Sequence, residues 1–222
     1  MAGDWTAVIP VKPLDGAKSR LRGAVPDGEH ADLALALVRD TVAAVLACPA
    51  VRDVLVVTDD PDAARAAAAL GARVVPDRPG AGLNAALRFG ADAVTGLTRP
   101  RAALAADLPA LRPDDLAAAL ALAWRRSFVA DAGGSGTVLL AAPAGVPLDP
   151  RFGPGSAAAH AASGAQPLTG DWLGLRRDVD TPADLRTVME LGAGAHTSAV
   201  LCRHARNCGD LRSRHAGRDV AP

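Results

Sequence analysis

The sequence predicts an α/β fold, with a mostly parallel, twisted sheet and helices on both faces. Three observations predict it. Short apolar runs alternate with stretches whose apolar residues recur at three- and four-residue steps. The run Val54 to Val57 is apolar without a break, as a strand covered on both faces requires. Cap and turn residues stand at the junctions, where right-handed crossovers would carry helices to both sides of the sheet.

Val8-Ile9 begins the first strand, and Leu33, Leu37, Val38, Val42, Val45 and Leu46 then mark one face of a helix. VRDVLVVTDD is the second strand. Asp60-Pro61, a capping residue followed by proline, opens a helix that stops at Gly71, and ARVV follows as the third strand. After the loop DRPGAGLN comes a helical stretch carrying Leu83, Leu87, Val94 and Leu97. RAALAADLPAL is expected as a strand ending at Asp107, with a helix starting at Pro113. SFVADAG and TVLLAAP are strands around the break GGSG, GPGSAAAHAASG is a short helix, and WLGLRRDVD is expected as the last strand. Thr181-Pro182-Ala183-Asp184 starts a final helix that runs to about Gly192. These elements form one domain over 1–196. From Thr197 onward no apolar period is sustained, so 197–222 reads as a largely disordered tail.

The 222 residues are half hydrophobic, and 24 basic residues balance 24 acidic ones. That balance argues against a general nucleic-acid binder, which needs surplus cations. No stretch is long and apolar enough for a membrane span, and the first residues lack the pattern of a secretory signal. Three cysteines, Cys48, Cys202 and Cys208, give no disulfide framework and suit a reducing cytoplasm. With His204 and His215, the tail cysteines match no common zinc spacing. No GxSxG, HExxH or Walker loop is present.

In a sheet of this class, ligands sit beyond the carboxyl ends of the strands. The loop after the first strand, PVKPLDGAKSR, carries Lys12, Lys18 and Arg20. The second strand ends in Thr58, Asp59 and Asp60, and Asn84 lies beside two glycines. The central strand ends in Asp107, and the last in Asp178-Val179-Asp180. Carboxylates two apart in extended chain share a face and repel unless a cation lies between them. Magnesium, which takes hard oxygen ligands, is the natural partner, and Asp107 could complete its site. Cations opposite such a cluster make a polyphosphate site. Each feature also has a plainer reading: the cations as a solvated loop, the D-x-D as a helix start, Asn84 as a turn residue, and His160 as a packed histidine.

IPVKPLDGAKSRL, VVTDD, GLNAAL, AADLPAL, GSGTVLLAAP, RFGPGS and DVDTPADL, in this order from about Trp5 to Leu191, resemble one nucleotidyltransferase family. It is the phospholactate or phosphoenolpyruvate guanylyltransferase family of deazaflavin coenzyme F-420 biosynthesis. The resemblance implies a cytoplasmic enzyme with the Rossmann-like nucleotidyltransferase fold. It implies joining GTP to a three-carbon phosphoacid with release of pyrophosphate, the unstable product passing to a downstream transferase. The acceptor is 2-phospho-L-lactate, phosphoenolpyruvate or 3-phosphoglycerate, with phosphoenolpyruvate preferred for a high-GC composition. Matched position by position, the family's acid-binding residues fall on Thr137, Gly153 and Ser156, and its metal-binding aspartates on Asp107, Asp178 and Asp180. Lys12 and Lys18, supported by Arg20, fall in the phosphate-gripping loop, and Thr58, Asp59 and Asn84 lie toward the nucleotide. The sequence departs from the family at Ser135, Val138 and Ala106.

Alternatives are a nucleotidyltransferase of the same fold acting on a molybdopterin or sugar phosphate, a non-catalytic nucleotide-binding regulatory subunit, and a DxD-type glycosyltransferase.

Overall fold

A computed structural model describes residues 4–14, 21, 25–26, 28–94 and 96–203. Seven strands form one sheet: β1 (Trp5–Pro10), β2 (Val51–Val57), β3 (Arg73–Val75), β4 (Arg101–Leu104), β5 (Ser127–Ala130), β6 (Thr137–Ala142) and β7 (Gln166–Pro167). Their order is β3-β2-β1-β4-β6-β5-β7. The pairs β2–β3, β1–β2, β1–β4 and β5–β7 are parallel, whereas β6 runs antiparallel to both β4 and β5.

Side-chain alternation explains why the sheet is covered twice. Ala7, Ile9, Val54, Val56, Ala102, Leu104, Leu139 and Ala141 enter one core. Val8, Leu55, Val57, Ala103, Leu140 and Ala142 enter the core on the other face. An element with both faces buried cannot alternate apolar and polar residues, which is why these strands are continuous apolar runs.

The helices are α1 (His30–Leu46), α2 (Pro61–Leu70), α3 (Leu83–Arg88), α4 (Pro113–Ala121), α5 (Ser156–Ala162), α6 (Leu173–Arg176) and α7 (Pro182–Leu191). A π-helical turn, Phe89–Val94, continues α3. Asp60 caps α2 by accepting from the N–H groups of Asp62 and Ala63, and Gly71 ends it in the left-handed conformation. Thr181 and Asp184 close a capping box at the start of α7.

The structure departs from the sequence expectations in four places. The central strand stops at Leu104 rather than Asp107. The expected final strand is instead α6, followed by an extended segment outside the sheet. An apolar stretch as short as Trp172–Leu175 does not distinguish helix from strand by itself. Gly174 allows α6 to lie against the loop between β4 and α4, since a Cβ there would come 2.0 Å from the Ala110 carbonyl oxygen. The helix after DRPGAGLN ends before Leu97, which is exposed.

Finally, residues 195–203 are helical (α8), so the boundary expected at 196 falls inside an element; residues from 204 lie outside those described. The Asp40 carboxylate, on α1, caps α8 by accepting from the N–H groups of His196 and Thr197 at 3.0 and 2.7 Å. Tertiary capping of this kind has no local sequence signal, and TSAVLCR carries no sustained apolar period that would mark a helix.

Candidate active site

Beyond the carboxyl ends of β1 and β4 lies a cavity of about 750 Å³. Because β6 is reversed, its first residue, not its last, reaches this edge: Ala105 N–H donates to the Val138 carbonyl where the strands meet.

Asp107, Asp178 and Asp180 line one wall. Each offers a carboxylate oxygen, and these atoms lie within 4.8 Å of one another, a spacing suited to a divalent cation. Two bonds place them. Leu108 N–H donates to Thr41 Oγ1 on α1 at 2.8 Å, and Val179 N–H donates to the Asp107 carbonyl at 3.2 Å. Val179 is fully buried between the two aspartates, so the extended segment aims both at the cavity without being a strand. Burial and then the carboxylates of Asp107 and Asp180 push the Asp178 carboxyl up to about 7.

A further part of the lining comes from β6, the start of α5 and the loops that precede them. Thr137, Gly153 and Ser156 all belong to it. The first N–H groups of α5 are not open to an anion: Ser156 N–H donates to the Gly153 carbonyl and Ala157 N–H to the Ser135 carbonyl. The hydroxyl-bearing residues on this wall are Thr137, Ser156 and Ser135. Asp131, which sequence reasoning did not single out, also lines the cavity and accepts from the N–H groups of Ser135 and Gly136. Gly136 must be glycine there, because a Cβ would sit 2.3 Å from the Asp131 carboxylate. An aspartate before a Gly-Gly-Ser-Gly break is the signal that could have marked it.

Beyond β1, Lys12 is exposed and faces both this cavity and a smaller one shared with Asp59 and Asp77. The loop bearing it is tied down by Asp60, which accepts from Leu14 N–H at 2.8 Å. Burial alone would raise the Asp60 carboxyl, but the N–H groups of Ala63, Leu14 and Asp62 outweigh it and hold the group below its ordinary value. Lys18 and Arg20 lie outside the described residues.

Thr58 is buried, and its hydroxyl accepts from Asp60 N–H. Asp59 accepts from Asp77 N–H. Asn84 spends its amide on the Phe152 backbone, donating to the carbonyl and accepting from the N–H. Thr58 and Asn84 therefore hold the loops around the site rather than facing the large cavity. No helix among the described residues is long and apolar enough to cross a membrane.

A strand-end cavity lined by a carboxylate trio and by hydroxyls, on this sheet order, fits a nucleotidyltransferase. Solved structures support the fold. The chain matches a protein described as a nucleotide-diphospho-sugar transferase from Desulfovibrio desulfuricans with a TM-score of 0.65 at 15% identity, covering 92% of this chain and 96% of that one. It matches a nucleotidyl transferase from Methanothermobacter with a TM-score of 0.57 at 21% identity, covering 84% and 97%. The chain belongs to the guanylyl transferase CofC-like family, whose model matches residues 5–205. A phosphoenolpyruvate guanylyltransferase of Salinispora arenicola is 63% identical over 89% of this chain and 93% of its own length. One of the same name from Geodermatophilus obscurus is 57% identical over 92% and 97%.

Proposed function

We propose that this chain transfers the guanylyl group of GTP to the phosphate of phosphoenolpyruvate, releasing pyrophosphate. One observation carries the reading: a single cavity presents three carboxylates on one wall and the Thr137 and Ser156 hydroxyls on another, and relatives of that name share more than half of the sequence. We assign the reaction to coenzyme F-420 biosynthesis in the cytoplasm, with a downstream transferase taking the product.

In this reading Asp107, Asp178 and Asp180 hold magnesium. The donor set fits, since all three side chains offer hard oxygens, and the burial and carboxylate repulsion that raise Asp178 are what a cation offsets. A bound ion would supply charge compensation at the phosphoryl oxygens. The remaining work falls to the chain's own groups. Lys12, with Lys18 and Arg20 assigned on sequence alone, neutralises the triphosphate, and Asp59 borders the nucleotide beside Lys12. Thr137 and Ser156 donate to the acid, and Gly153 keeps the loop beside it free of a side chain.

No protein nucleophile is required. A phosphate oxygen of the acid attacks the α-phosphorus of GTP in line, and the bond to pyrophosphate breaks. Both reactants are anions, so screening and alignment are what the residues contribute.

The test is to incubate the protein with GTP, magnesium and each three-carbon phosphoacid separately and identify products by mass. Guanylylated phosphoenolpyruvate and pyrophosphate are expected. Turnover of CTP with a sugar phosphate, and none of GTP, would overturn the reading.

A further inference from the structure

His160 lies on α5, completely buried, between the rings of Phe128 and Phe152 at 5.8 and 5.2 Å. Its Nε2 lies 2.9 Å from the backbone nitrogen of Arg151, and its Nδ1 lies 2.9 Å from Thr137 Oγ1. A backbone N–H can only donate, so Nε2 must carry a lone pair. In the neutral ring the proton then sits on Nδ1 and donates to Thr137 Oγ1. Among the described residues His160 is the hydrogen-bond partner of that oxygen. With one lone pair of Oγ1 taken, the threonine's own proton must turn elsewhere, and Thr137 lines the cavity.

We propose that His160 is a positioning residue: it fixes the Thr137 hydroxyl as a proton donor aimed into the cavity, where it selects an anionic oxygen of the phosphoacid over a hydroxyl. This rests on the reading of Thr137 as an acid-binding residue. The bond to Arg151 N–H does a second job, since it holds the start of the 151–156 loop to the same ring. Burial, and then the Arg126 charge, pushes the imidazole down to about 4, so the neutral form persists where GTP chemistry runs.

The tautomer is read by long-range ¹⁵N–¹H correlation on the intact, ¹⁵N-histidine-labelled protein, assigned with His160→Asn. A proton on Nδ1 and none on Nε2 is expected, and the opposite tautomer overturns the proposal. Kinetics add a second arm. His160→Leu should raise the KM for phosphoenolpyruvate roughly 10- to 100-fold, as loss of a hydrogen bond to a charged group does, with little change in the KM for GTP. His160→Asn, whose amide can still donate to Thr137, should recover part of this. In a Thr137→Val background the His160→Leu substitution should change the phosphoenolpyruvate KM little, because its route of action is already gone. Equal effects in both backgrounds overturn the proposal. If Thr137→Val itself leaves that KM unchanged, the acid-site reading falls and takes this inference with it. If Thr137→Val raises it and neither His160 variant does, this inference alone falls.

Discussion

The Asn84 side chain grips Phe152 through both backbone groups, donating to its carbonyl at 2.9 Å and accepting from its N–H at 2.8 Å. α3 is thereby locked to the loop that carries Gly153 and leads into α5 at Ser156. Asn84→Ala should raise the KM for phosphoenolpyruvate several-fold and lower stability by about 1–3 kcal/mol, since two half-buried backbone groups lose partners. Asn84→Asp keeps the acceptor alone and should fall between. Steady-state kinetics with thermal melts check this, and an effect on GTP only would count against the loop role.

Asp178 gives the metal-free protein an inverted pH response. Its carboxyl is raised to about 7, whereas an unfolded aspartate titrates near its ordinary value. Between about pH 4 and about pH 7 the folded protein keeps a proton that the unfolded chain has released, so this group makes stability fall as pH rises through that window and level off above it. Urea melts across the window should show the slope, and Asp178→Asn should remove it. Magnesium binding near pH 6 should release about one proton. Binding without proton release would exclude Asp178 as a ligand.

Asp107→Asn should abolish turnover while the protein stays folded, because removing one charge from the trio weakens its hold on a cation. Turnover with pyrophosphate detection, beside a circular dichroism melt, separates the two. Full activity would rule out Asp107 as a metal ligand.

Lys12→Ala should raise the KM for GTP far more than the KM for the acid, by roughly 10-fold or more for a lost charge-assisted contact. The residue is exposed, so stability should hardly change. Equal shifts in both KM values would place Lys12 somewhere other than the triphosphate.

Asp40→Ala should cost about 1–2 kcal/mol by uncapping α8. Hydrogen exchange should then rise at His196 and Thr197, whose N–H groups the carboxylate accepts. Unchanged protection there would mean the helix stands without its cap.

What could be read in the sequence was what local chemistry encodes. Val54 to Val57 announced a doubly covered strand, and Asp60-Pro61 and Thr181-Pro182 announced helix starts, because caps and periods act over a few residues. The direction of β6 was not legible: a run such as TVLLAA has the same pattern whichever way its neighbours run. The D-x-D pair was found for a reason that outlasted its assigned element, since an extended chain alternates sides with or without a sheet. His160 was read as a packed histidine. Its partners lie 9 and 23 residues away, and only the fold shows that one of them is Thr137. Asn84 and Thr58 were placed beside the nucleotide by order of motifs, yet their bonds go to backbone that no motif reveals.

The reversed strand has a consequence for how such a protein can change its substrate. The hydroxyl-lined part of the cavity comes from one uninterrupted stretch, β5 through α5, whereas Asp107, Asp178, Asp180 and Lys12 come from elsewhere in the chain. In the function proposed above, acceptor preference therefore travels as a transplantable cassette. Exchanging residues 127–165 between two members of the family should carry the choice of acid with it and leave the handling of the nucleotide behind.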